Sequence, residues 1–216
     1  MKKVFALLLA AIMSLSFVAC NGSTAFNVAK EAYDKIDAAY EITEKFGEDV
    51  YEAWRLGIYD DDEILDNGVE TLAAELSLSE REIIAGIELI VAGGEEKTMT
   101  LTKVEANRLF EYFEDDLDDL FTFCIMVVVY AYKDNGTIEK AQSALDSAKD
   151  LMKTMSEKHS DYEHYPNLKE YYTTTKAFFA FCQEPTGSFE QAKTTINDYR
   201  NKARNYVNDL DYIFED

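Results

Sequence analysis

Apolar residues recur along this chain at alternating steps of three and four. In the first long stretch Ala29, Ala32, Ile36, Ala39, Thr43, Phe46, Val50 and Ala53 keep that rhythm, which places them on one side of an α-helix. Tyr33, Tyr40, Gly47 and Trp54 flank the seam at every seventh position. Gly57 is expected to end this helix. Asp60-Asp61-Asp62-Glu63 then offers a cap and an acidic first turn, which the helix dipole favours. The stripe that follows is Leu65, Val69, Leu72 and Leu76. Ser79-Glu80-Arg81-Glu82 is a capping box that opens a short helix with Ile83, Ile87 and Ile90 inward. Gly93-Gly94 closes it.

Residues 95–101 read as a loop, with a short extended stretch at Thr98-Met99-Thr100. Thr102-Lys103-Val104-Glu105 is a second capping box, and one helix is predicted from there to about Lys133, about 50 Å long. Its second half, Leu120 to Tyr132, is apolar except for Thr122. That run is shorter than the roughly 20 residues a bilayer requires. A helix apolar all round is buried on all sides, so this one is expected at the centre of the domain. Val127-Val128-Val129 also suits a strand, but no strand partner is evident. Asn135-Gly136 makes the next turn, before Ile138, Ala141, Leu145, Ala148, Met152, Met155 and His159. Pro166 suits a helix start, followed by Leu168, Tyr171, Thr175, Phe178 and Cys182. Ser188-Phe189-Glu190-Gln191 is a third capping box, opening a last helix through Ala192, Ile196, Tyr199, Ala203, Tyr206, Leu210 and Ile213. The fold class is all-α. The period and the short connections predict an elongated antiparallel up-and-down bundle of about five long helices plus two short ones.

The first residues follow a different pattern. Met1-Lys2-Lys3 is a positive start, and Val4 to Leu15 is an uncharged apolar run, too short to be an ordinary spanning helix. Leu15-Ser16-Phe17-Val18-Ala19-Cys20 follows. This segment resembles the lipobox of bacterial lipoproteins: Val18, Ala19 and Cys20 match, and Phe17 stands where that pattern usually has Leu. The resemblance implies that the Cys20 thiol carries a diacylglyceryl group and becomes the mature N-terminus. The competing readings are ordinary signal cleavage, for example after Ser16, and an uncleaved anchor. On the lipoprotein reading, 1–19 is a signal peptide, 20–23 a lipidated tether and 24–216 a single acidic domain. That domain lies close to the membrane on its extracytoplasmic side.

Charge narrows the partners. The chain has 42 Asp+Glu against 21 Lys+Arg, a net of −21. Losing Lys2 and Lys3 with the signal leaves 19 basic residues and a net of −23. Such acidity argues against nucleic acid, which needs basic patches. It also gains nothing from anionic lipids, so anchoring falls to the acyl chains. A cationic or neutral partner, protein or small solute, fits better.

The residues that could carry chemistry are few. Glu111, Glu114, Asp115, Asp116, Asp118 and Asp119 cluster on the predicted long helix, where Glu114 and Asp118 are weak candidates for a hard cation. A solvated acidic face accounts for them more simply. Asp134-Asn135-Gly136 has a calcium-loop flavour, but its register puts Ala131, Lys133 and Gln142 where ligands belong. His159 and His164 are the only histidines. Asp161 and His164 are weak metal candidates, and helix-end histidines near solvent fit both positions better. An exported location permits a disulfide between Cys124 and Cys182, although both sit on apolar stripes that suit free thiols equally. Tyr162, Tyr165, Tyr171 and Tyr172 gather near Pro166, as a recognition surface or as packing at a bundle rim. Gly136-Thr137-Ile138-Glu139-Lys140-Ala141 and Gly187-Ser188-Phe189-Glu190-Gln191-Ala192 echo one another and resemble the turn of a tetratricopeptide hairpin. They are 51 residues apart, against about 34 in that repeat.

No nucleophile elbow, phosphate loop, zinc spacing or dinucleotide glycine pattern is present, and no cofactor is implied. The expectation is a membrane-anchored surface lipoprotein acting as a non-catalytic binding or interaction module. The alternatives are a cation- or solute-binding lipoprotein that feeds a transporter, and a tetratricopeptide-like scaffold.

Overall fold

The computed structural model describes the backbone of residues 2–94, 99–114 and 117–214, and the side chains of 24–94, 99–114 and 119–214. Within these residues the chain forms eight helices and no strand: α1 (Lys2–Tyr59), α2 (Asp61–Glu75), α3 (Glu80–Val91), α4 (Lys103–Glu111), α5 (Leu117–Asp134), α6 (Thr137–Lys158), α7 (Tyr165–Gln183) and α8 (Phe189–Phe214). The all-α bundle is as the periodicity predicts. All eight residues of the first seam are buried.

The central element is α1, not α5. It packs against α2, α5, α6, α7 and α8. The reason is its length together with small residues: Ala29, Ala32, Ala39 and Ala53 let neighbours approach closely. α5 lies antiparallel on its far part, with Tyr132 stacked on Phe46 at 4.7 Å between ring centroids. α6 continues in the same direction along its near part. α7 returns parallel to α1, and α8 descends antiparallel, its Phe214 reaching Phe26 at 5.6 Å.

Gly57 does not end α1, which continues to Tyr59. Here α1 meets α5 so closely that a Cβ on Gly57 would stand 2.5 Å from the Phe121 Cα. The glycine serves a helix crossing rather than a stop.

The long helix predicted from 103 to 133 is two helices. α4 ends at Glu111, and bonds from Phe113 N–H to Phe110 C=O and from Glu114 N–H to Glu111 C=O tighten the exit. Continuation would stack like charges one turn apart, at 111/115 and 114/118, which is unfavourable. Breaking there lets Phe110 and Phe113 close on Phe123, at 5.0 and 4.9 Å. The described bundle therefore has three short helices, not two.

Asn135-Gly136 does not make an antiparallel hairpin either. Gly136, at φ +77°, precedes α6. The Asn135 side chain accepts from Thr137 N–H at 3.0 Å and donates to Glu82 at 2.9 Å. That pins the joint to α3, and α6 runs on from α5 along α1. The similar turn at Gly187, φ +98°, does make a hairpin, of α7 with α8. The two echoes thus build different angles and not a repeating unit.

The predicted caps are real. Ser79–Glu82 and Thr102–Glu105 are both reciprocal capping boxes, and Ser188 exchanges bonds with Gln191. α2, α3 and α4 pack on one another as a subsidiary layer, and α3 joins that layer to α5.

Candidate functional site

Two concavities stand out, one apolar and one polar. The apolar groove has a volume of about 680 Å³. It runs along α5 between the far end of α1 and the α7–α8 turn. Phe121, Ile125, Met126 and Val129 supply its wall, and Trp54 its floor. α5 was expected to be buried on all sides. Instead its Leu120, Cys124, Val127 and Val128 face the core, while Thr122 and Met126 reach solvent and Val129 is half-buried. The cause is coverage: α3 and α1 occupy two flanks of α5, and α6 runs on beyond it instead of folding back to cover the third.

The groove floor is stiff. Trp54 lies parallel to Phe121, with centroids 6.0 Å apart and planes at 5°, and meets Phe189 at 6.4 Å. Phe189 also packs on Tyr51 and Tyr59. At one end, Lys133 donates to the Gly94 carbonyl at 2.7 Å and stands 5.4 Å from the Tyr130 ring centre. Residues 183–187 line the other side, with Glu184 exposed.

The polar cleft, about 460 Å³, opens between α1, the end of α2 and α8. Its inner wall carries Asp49, only 4% exposed. Asp49 accepts Tyr132 Oη–H at 2.7 Å and Ser77 N–H at 3.2 Å on both oxygens. Burial pushes its carboxyl above the usual range, against the opposing pull of those hydrogen bonds. Burial, with the carboxylate beside it, likewise pushes the Tyr132 phenol well up. Beside them Arg200 bridges Glu44 and Glu48 at 3.3 and 2.9 Å, and Arg204 reaches Glu44 at 2.9 Å. Sequence reading missed Asp49. The available signal was its spacing, three residues after Phe46 and four before Ala53, a core register held by an acid.

The predicted site residues fall elsewhere. Glu111, Glu114 and Asp119 are exposed around the α4–α5 break. Asp115 and Asp116, and the side chain of Asp118, lie outside the described residues. Asp161 is exposed, and His164 is half-buried beside Tyr162 at 5.5 Å. His159 is buried at the end of α6 rather than near solvent, because it continues the Met152–Met155 stripe. Among the described residues no three His, Cys, Asp or Glu side chains are grouped to hold a metal ion. Cys124 and Cys182 are free, buried thiols and form no bridge. Burial pushes Cys124 up to about 12 and Cys182 higher still. The Cys20 side chain lies outside the described residues. Tyr171 is a core residue, fully buried and donating to Asp37 at 2.8 Å, while Tyr162, Tyr165 and Tyr172 are half-buried.

Fold and site define an acidic all-α bundle that carries an open apolar groove and a charged cleft among its described residues. No protein-family model, curated protein or solved structure matches the chain.

Proposed function

We propose that this is a lipid-anchored, extracytoplasmic, non-catalytic binding module that takes an apolar, cation-flanked segment of a partner into the α5 groove. The observation that carries the reading is the uncovered α5 face over a rigid Trp54–Phe121 floor. Pockets of this size and apolar lining are where proteins bind other molecules. From Phe121 to Lys133 the groove spans about 18 Å at 1.5 Å per residue, or about three turns of a docked amphipathic helix. A net charge of −21 favours cations flanking the apolar contacts.

The lipobox-like Val18-Ala19-Cys20 supports the anchor. Trp54 is 30 residues beyond Thr24 on the same helix, about 45 Å along its axis. With acyl chains on Cys20, the groove is carried at the end of the bundle remote from the membrane. The stiff aromatic floor is built for contact.

Trp54 is the only tryptophan, so the groove contains its own reporter. Its emission should shift to the blue, saturably, on titration with a cationic amphipathic helical peptide. An acidic peptide of the same apolar pattern should give no shift. Met126→Asp should abolish the response. If neither peptide moves Trp54 emission, the groove is not the binding site.

A further inference from the structure

The polar cleft carries a second inference, independent of the groove. Asp49 is a nearly buried carboxylate, and among the described residues no cation stands within ion-pair distance of it. Its partners are a backbone N–H and a phenol. A buried carboxylate held by neutral donors alone keeps much of its desolvation cost, which a cation would offset. Lys45, one turn earlier on α1, acts on Asp49 only from beyond ion-pair distance and as the weakest of the influences on it, and the arginine that α8 carries nearby is engaged elsewhere. Arg200 is spent on Glu44 and Glu48, and Glu52 is spent on Arg55 at 2.6 Å.

Three charged groups lining the cleft have no ion-pair partner among the described residues: Asp49, Glu75 and Lys193. The two acids belong to α1 and α2, and the lysine to α8. An ammonium group has three donors and suits two carboxylates, while Lys193 suits a carboxylate. A divalent metal wants six or more grouped oxygens, which this cleft does not assemble.

We infer that the cleft binds a small zwitterionic amino compound, a free amino acid or a dipeptide, with its ammonium against Asp49 and Glu75 and its carboxylate toward Lys193. The volume of about 460 Å³ suits a ligand of that size.

Calorimetric titration of the full protein tests this. The probes are L-alanine, L-phenylalanine, L-glutamate, L-lysine and alanyl-alanine, with n-propylamine, propionate and calcium chloride as controls. The expected result is saturable heat from at least one zwitterion and none from propionate or calcium. Glu75→Gln should weaken that binding by about tenfold, and Lys193→Ala should remove the preference for the zwitterion over propylamine. Both residues are exposed, so neither change threatens the fold. Asp49→Asn should abolish binding while a thermal melt confirms folding. The inference is overturned by an absence of saturable heat from every zwitterion, by equal binding of propylamine in the unaltered protein, by calcium binding that competes, or by affinity indifferent to both Glu75→Gln and Lys193→Ala.

Discussion

The hydroxyl of Tyr132 donates to the buried carboxylate of Asp49 at 2.7 Å, joining α5 to α1 across 83 residues of chain. The same carboxylate holds Ser77, in the α2–α3 connection. One acid therefore ties the subsidiary layer, α5 and the central helix together, and it does so at an electrostatic cost.

That cost depends on pH. The folded-state pKa of Asp49 is raised above its ordinary value, chiefly by burial. The folded form then holds the proton more tightly than the unfolded form. Between the two values stability rises as pH falls, and the burial cost is fully present above the folded value. Asp49→Asn keeps an acceptor for Tyr132 and Ser77 but cannot ionise. The melting temperature of the variant relative to the parent should be highest near neutral pH and should fall as pH drops toward 4. A difference that does not change with pH would contradict the assignment.

Gly57 gives a second expectation. A methyl group there meets the Phe121 backbone at 2.5 Å, so α1 and α5 must separate. Gly57→Ala should cost about 1–3 kcal/mol as overpacking, despite the better helix propensity of alanine. Because Trp54 stacks on Phe121, its emission should change as well. A stabilised variant would show that the crossing is looser than described.

Arg200 bridges two acids in a strongly negative protein, with 17% of its side chain exposed. Arg200→Gln should lower stability by about 1 kcal/mol. The unaltered protein should itself melt higher in added sodium chloride, because screening relieves repulsion among its acids. Melting curves across a salt series check both.

The two thiols should be silent. Cys124 and Cys182 are buried, and burial holds both as thiols. In the native state a thiol reagent should modify neither, and in denaturant without reductant it should modify both. Failure to modify them after unfolding would indicate a bridge.

Much of this architecture is written in the sequence. The Ala29–Ala53 seam, the caps at Ser79, Thr102 and Ser188, and the turn glycines at 93, 94, 136 and 187 are local signals, and each appears where spacing places it. The misreadings have a common cause: local pattern does not say what packs against it. Gly57 reads as a stop until Phe121 is seen against it. The apolar rhythm carries through 112–116, although repulsion among the acids and the pull of Phe123 end the helix there. α5 reads as wholly buried because its composition cannot reveal that α6 runs past it. The groove follows from that tertiary fact and was not legible. Asp49 was legible only as an acid in a core register. Glu114, Asp161 and His164 drew attention by residue type, but type without convergence makes no site.

Lipid anchoring through Cys20 is tested by the intact mass of the protein recovered from bacterial membranes, compared with Cys20→Ala. The expected product is a chain that begins at Cys20 and carries a diacylglyceryl group, with the variant losing the lipid and leaving the membrane fraction. A chain without lipid, with Cys20 free or removed, would contradict it: the groove would then belong to a secreted bundle and not to one held on a membrane.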